Sequence, residues 1–332
     1  MRARGIGSVL ASEKIILPLT VVYFLTVLPL APDILRQRNL LDIAANVMPL
    51  LIVAVGQTCV LISGGIDLSV TSIISVASIT GAAVMSGDGG LLAGSPLAAP
   101  GAFVAMVGVG AVIGAANGVA VALLGMPAFM VTLATMIFAG GLAVWATGAE
   151  TIGDLPNAFV FLGFGDVLGV PAGAFVALTG SLLVWLLLER TIAGRWLRAV
   201  GHSQRAARAS GVPVRRVLVL AYITSGACAG LAAILYTARL ETGSPVLGER
   251  LLLDIIGAVV IGGTSLFGGT GRVSWTLWGV LFMTVMSNSL EMLELTFAQI
   301  TIAKGTLILL AALLDAWRQR VRKARPATGA TA

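Results

Sequence analysis

Between Arg38 and Arg190 the chain carries neither a lysine nor an arginine. A soluble domain keeps roughly 25% of its residues charged to cover its surface. Here 58% of 332 residues are hydrophobic and 11% charged, and the mean hydropathy is +1.00. Such a chain cannot clothe a globule in polar groups, so lipid must be its main solvent. Its 41 glycines lie inside long apolar runs, as in membrane helices that pack closely through small residues. The expected fold is all-α, a polytopic bundle of membrane helices.

A helix needs about 20 apolar residues to cross the hydrocarbon core. Ten segments qualify: 15–31, 43–64, 69–85, 101–123, 128–147, 170–188, 217–237, 253–266, 273–290 and 297–314, the eighth too short to cross alone if straight. The first has a basic flank, but Pro32-Asp33 follows it rather than a small-residue cleavage site, so it reads as a retained span. An even number of spans places both termini on one side. The net charge of +6 is clustered at Arg2, Arg4 and Lys14, at 190–216 and at 318–325. Cytoplasmic loops retain Lys and Arg, so these clusters set topology, with both termini and the 190–216 loop in the cytoplasm, and argue against nucleic-acid binding. Arg36 and Arg38 fall on the outer side in this scheme, a smaller opposing bias. The organisation expected is an N-terminal segment over 1–14, a membrane domain over 15–315 and a basic tail over 316–332. The loop 190–216 is Ala-rich and expected to be partly helical; 87–100 and 150–169 are Gly/Pro-rich and bear only acidic charges. Cys59 and Cys228 lie far apart in apolar stretches, as small buried hydrophobes do.

Gly64-Gly65-Ile66-Asp67-Leu68-Ser69 is the most unusual stretch, setting paired glycines and a carboxylate between two apolar runs. Irregular backbone at membrane depth is tolerated only where protein or a water-filled cavity satisfies it. The segment reads either as a broken helix lining a pathway or as a tight turn in which Asp67 caps the following helix; the two are compatible. A second break begins at Gly262-Gly263 and runs to Gly271. It lacks the lysine and hydroxyl that close a Walker loop, so this chain is not expected to bind ATP; a tight inter-helix connection is.

Polar side chains within the spans are Gln57, Thr58, Asn117, Thr132, Asn288, Gln299 and Lys304. Each either joins helices by hydrogen bonds or lines a polar path. Together they offer neutral donors and acceptors suited to a hydroxyl-rich solute. Lys304 requires a carboxylate, with Glu291 or Glu294 as the candidates across a short turn. His202, the single histidine, is read as solvated.

These blocks resemble the ribose/monosaccharide-type permeases of bacterial ABC importers, a branch of a group that includes branched-chain amino-acid permeases. The resemblance runs from about Asn39 to Arg320. It is carried by Gly56-Gln57-Thr58, Ser63 through Val70, Ala116-Asn117-Gly118, Pro127 through Thr135, Gly194-Arg195, Ala199-Val200-Gly201, Ala206-Ala207, Ser210-Gly211, Leu253-Asp254 and Gly262 through Gly269. Three departures stand out: Thr71 where glycine is usual, Ile256-Gly257-Ala258 for Ala-Ala, and His202-Ser203 for Gly-Asn. The resemblance implies a bacterial inner-membrane protein that pairs with a second permease copy or paralogue, a cytoplasmic ABC ATPase using ATP and Mg, and a periplasmic sugar-binding protein. No cofactor is expected on this chain itself. The segment 194–211 would dock the ATPase through Gly194, Gly201, Ala206, Ala207 and Gly211. The alternative is an ion-coupled secondary transporter of a small polar solute, for which an intramembrane carboxylate cluster and an inverted-repeat signal are lacking. A channel would want a repeated selectivity element. An enzyme would want a metal or nucleophilic constellation, for which one His and two remote Cys are a poor start.

Overall fold

The computed structural model describes residues 16–324, and the basic residues of the first fourteen positions lie outside them. Thirteen α-helices dominate: α1 (Ile16–Val27), α2 (Gln37–Ile62), α3 (Val70–Met85), α4 (Ala98–Ala122), α5 (Ala128–Thr147), α6 (Asn157–Phe164), α7 (Ala172–Arg190), α8 (Ile192–His202), α9 (Gln204–Ala209), α10 (Val214–Leu240), α11 (Leu252–Ile261), α12 (Val273–Met292) and α13 (Phe297–Ala324). A 3-10 turn spans Pro32–Leu35, and strands β1 (Asp166–Val167) and β2 (Val170–Pro171) form a small antiparallel hairpin. The chain is a polytopic helical membrane protein.

Each of the ten apolar segments carries a helix, but among the described residues only six helices are long and apolar enough by themselves to cross a membrane: α2, α4, α5, α7, α10 and α13. Helices α1, α3 and α11 are apolar but short. At 1.5 Å per residue α11 is only about 15 Å long, because Gly262-Gly263 stops it where hydropathy alone carries on to residue 266.

Helices α2 and α10 form the centre, with 78% and 67% of their apolar windows buried, against 6% for α13. From Leu50 to Ile62 every residue of α2 is buried, as expected of a helix apolar all round. The tightest joint lies between α4 and α10. A Cβ built on Gly110 would stand 2.2 Å from the Gly226 carbonyl oxygen, one on Gly226 2.1 Å from the Gly110 carbonyl, and one on Gly114 2.2 Å from the Tyr222 carbonyl. Glycine recurs every fourth residue on α4, with Gly110 and Gly114 facing Gly226 and Gly118 facing Val219 on α10, so the two backbones touch.

The connections gather at two ends of the bundle. At one, Gly243 pairs with Ile152, and Ser86 donates to the Gly153 carbonyl at 2.8 Å. At the other, both glycine breaks meet the C-terminus of α8. Leu19 near the start of α1 and Asp315 near the end of α13 line a common crevice with Gly263, so the two ends of the described chain lie at this end too.

Candidate functional site

The break after α2 is made by its glycines. Gly64 has φ +83°, a left-handed conformation that favours glycine, and its N–H and that of Gly65 close the helix onto Leu61 and Val60 carbonyls at 2.9 and 3.1 Å. Gly65 has no room for a side chain, since a Cβ there would lie 2.6 Å from the Tyr222 hydroxyl. The chain then re-enters the protein, and Asp67 is wholly buried.

Three donors converge on that carboxylate. Oδ1 accepts from the Ser69 N–H at 3.0 Å and the Ser69 hydroxyl at 2.6 Å, and Oδ2 accepts from the Ser225 hydroxyl of α10 at 2.8 Å. The network continues outward. Asn117 of α4 donates to Ser69 Oγ at 2.8 Å, and Thr135 of α5 donates to Asn117 Oδ1 at 2.6 Å. Thr132 reaches the Ile66 carbonyl at 3.3 Å while also facing the Ala128 carbonyl at 2.9 Å. All three donors to Asp67 are neutral, and among the described residues it has no basic partner. Asp67 therefore does hold the start of α3, but as a bracket two residues ahead of the N-cap, which is Ser69, and it also ties the break to α10.

The remaining candidates separate. Thr58 of α2 bonds Thr276 of α12 at 2.8 Å. Asn288 forms a reciprocal amide pair with Asn39 at 2.9 and 2.8 Å, and Gln299 accepts the Thr296 N–H at 2.8 Å at the start of α13. These three join or cap helices. Gln57 is wholly buried, and neither its Nε2 nor its Oε1 finds a hydrogen-bond partner among the described residues. For Lys304 the expected partners, Glu291 and Glu294, are corrected. Its Nζ lies 2.7 Å from Asp254 Oδ1 in the first turn of α11. Lys304 sits seven residues into α13, about 10 Å along the axis from the turn, and both glutamates are exposed near that turn.

The expected docking loop is helical, as α8 and α9, and its small residues have unlike surroundings. Gly194 packs on the Leu188 carbonyl. A Cβ on Gly201 would stand 1.9 Å from the Ile62 carbonyl, at the very point where the Gly269 N–H donates to that carbonyl at 2.8 Å. One on Gly268 would lie 2.8 Å from Gly64 Cα. The two glycine breaks and the end of α8 thus form one joint, with exposed His202 against Gly269. Ala207 is buried, so it faces the chain's own core; Ala206 and Gly211 are exposed. Ser203 caps α9, its Oγ accepting the Ala206 N–H at 3.2 Å. Arg198 is more than a topological charge, since it donates to the Leu188 carbonyl at 2.8 Å and to Glu189 at 2.6 Å.

Reading the sequence missed Ser225, Thr135, Tyr222, Asn39 and Asp254. Ser225 and Tyr222 lie among small residues of α10 that look like packing positions until the break is seen to fold onto them.

A family model described as the permease component of the branched-chain amino acid transport system matches residues 39–314. The chain is 36% identical over 294 residues to the ribose import permease protein of Escherichia coli (strain K12), covering 87% of this chain and 89% of the relative. It is 35% identical over 289 residues to the ribose import permease protein of Bacillus subtilis (strain 168), with 86% and 87% covered. It is 31% identical over 327 residues to an L-arabinose ABC transporter permease protein of Azospirillum brasilense, with 97% and 93% covered. No solved structure matches. With a buried polar bracket at a broken helix, a glycine-seamed bundle and a family match over most of its length, the chain belongs to this family of transport-system permeases.

Proposed function

We propose that the chain is the membrane-spanning subunit of an ATP-binding-cassette importer for a monosaccharide or a related polyol or nucleoside. The observation that carries this reading is the family match together with relatives that are ribose and arabinose permeases. The ion-coupled alternative is set aside because those relatives are import-system permeases. Neutral hydroxyl and amide groups around the break fit an uncharged, hydroxyl-rich cargo.

In this reading the chain crosses ten times. Helices α3 and α11 complete their crossings with irregular segments buried in protein, where unpaired backbone is tolerable. The end that carries both ends of the described residues and α8–α9 is cytoplasmic, supported by seven arginines over 190–216. ATP and Mg2+ are used by a separate ATPase, which docks on α9. A second permease copy or paralogue and a periplasmic sugar-binding protein complete the transporter.

The test is reconstitution. The chain, co-expressed with an ABC ATPase and a periplasmic sugar-binding protein of the same importer type, should accumulate labelled D-ribose or L-arabinose in an ATP-dependent manner. Accumulation driven by an ion gradient without ATP would refute the reading.

A further inference from the structure

A cavity of about 600 Å³ lies between α3, α5 and the segment leading into α11, within the roughly 300–1,000 Å³ of small-molecule sites. It exists because α5 presents glycine to it. A Cβ on Gly141 would meet nothing within 4 Å, and one on Gly140 only Ser72 Cβ at 3.9 Å.

The wall contributed by α3 is hydroxylic. Thr71 and Ser72 donate to the Leu68 and Ser69 carbonyls at 3.3 and 2.9 Å, which leaves their oxygens free to accept. Ser75 Oγ accepts the Gly248 N–H at 3.0 Å and keeps its own proton to donate. All three are buried. Across the cavity stand Trp145, 79% exposed, and Glu249, which has no basic partner among the described residues.

We infer that this cavity binds a neutral polyhydroxylated molecule of monosaccharide size, an assignment that rests on the import reading above. An indole face packs against the C–H face of a sugar ring. A carboxylate accepts from two neighbouring hydroxyls, and serine and threonine hydroxyls supply both signs of hydrogen bond. A purely lipidic occupant would leave this carboxylate and these hydroxyls facing hydrocarbon, which is costly. Thr71 and Ser72 in the cavity wall belong to the first turn of α3, two and three residues beyond Ser69 of the Asp67 bracket.

The decisive position is Gly141, where added volume enters the cavity without meeting packed atoms. Gly141→Leu in the co-expressed transporter should fold, retain the ATPase and lose at least tenfold in D-ribose or L-arabinose uptake. Glu249→Gln should raise the uptake KM several-fold at unchanged protein level. Independently, Gly141→Cys in the detergent-solubilised transporter should react with a hydrophilic methanethiosulfonate, because the native Cys59 and Cys228 are buried. Phe138→Cys, on the 73% exposed outer face of α5, should react at least tenfold more slowly. Wild-type uptake by Gly141→Leu, or a Gly141→Cys no more reactive than Phe138→Cys, overturns the site while leaving the import reading standing. If the wild-type transporter moves no monosaccharide, the import reading falls and the ligand class falls with it.

Discussion

Replacing Asp67 by alanine strips the acceptor from one backbone N–H and two hydroxyls in a place no water reaches. Each stranded buried donor costs about 1–3 kcal/mol. The Ser69 hydroxyl still accepts from Asn117 and can rotate to another acceptor, so two donors are left to count. Removing a buried carboxylate with no cation beside it gives some of that loss back. The net cost is therefore about 2–4 kcal/mol, the lower part of the two-donor range. At roughly 2 °C per kcal/mol for a large domain, the thermal midpoint in detergent should fall by about 4–8 °C. Asparagine tests the cause. Its Oδ1 can keep both Ser69 bonds while Nδ2 donates to Ser225 Oγ, so Asp67→Asn should stay within about 1 kcal/mol of wild type. The assay is a thermal melt of purified protein followed through loss of monodispersity, run on all three proteins. An Asn variant that melts as early as Ala would show that the charge, not the hydrogen-bond bracket, holds the break. An Ala variant that melts with wild type would show that the bracket contributes nothing.

Gly226→Val drives a side chain into the Gly110 carbonyl, and overpacking of this kind costs about 1–3 kcal/mol or more; the yield of monodisperse protein should fall. Gly108→Ala, where a Cβ meets nothing within 4 Å, should not lower it, and equal losses would refute the seam. Gln57→Leu removes two unpartnered buried atoms and should raise stability by roughly 1–3 kcal/mol; a lower melting point would mean the amide has a partner. Ala206→Asp should release the ATPase from an intact bundle, with Arg205→Ala close to wild type. Buried Ala207→Asp should instead lower protein yield, and full ATPase retention by Ala206→Asp would exclude α9 as the docking element. Lys304→Met leaves the Asp254 charge unpaired, at a cost of about 3–5 kcal/mol, and adding Asp254→Asn should restore most of it. Glu294→Gln should be silent, and an equal loss there would reassign the ion pair.

The helices were legible because apolar runs near 20 residues leave few alternatives, and all ten segments hold one. Their ends were not. Helix α2 begins at Gln37, six residues before the apolar run, since Asn39 is clasped by Asn288 and Asp42 pairs with Arg239 at 3.6 Å. Those partners are some 200 or more positions away, and no local pattern points to them. Helix α6 and its hairpin lie in a Gly/Pro-rich stretch that reads as plain loop. The broken helix was legible as a motif, glycines beside a carboxylate, and the Asp67 contact with Ser69 is local to that motif. Its contact with Ser225 is not. Lys304 announced its need for a carboxylate by its depth in an apolar run, yet proximity in sequence favoured glutamates that proximity in space does not. Likewise, composition could mark Ala206-Ala207 as small, but only tertiary packing decides which of two adjacent alanines faces the protein and which faces outward.

The contact of α4 with α10, backbone against backbone, has a mechanical meaning. Where side chains interdigitate, helices can slide by exchanging rotamers. Where carbonyls abut Cα atoms no such slack exists, so α4 and α10 are built as a single spar about 40 Å long. One end of that spar is joined to α9 through a turn of a few residues. Part-way along, it grips the break between α2 and α3 through Asn117 and Ser225. The spar is thus the direct covalent and packed link between α9 and the Asp67 bracket.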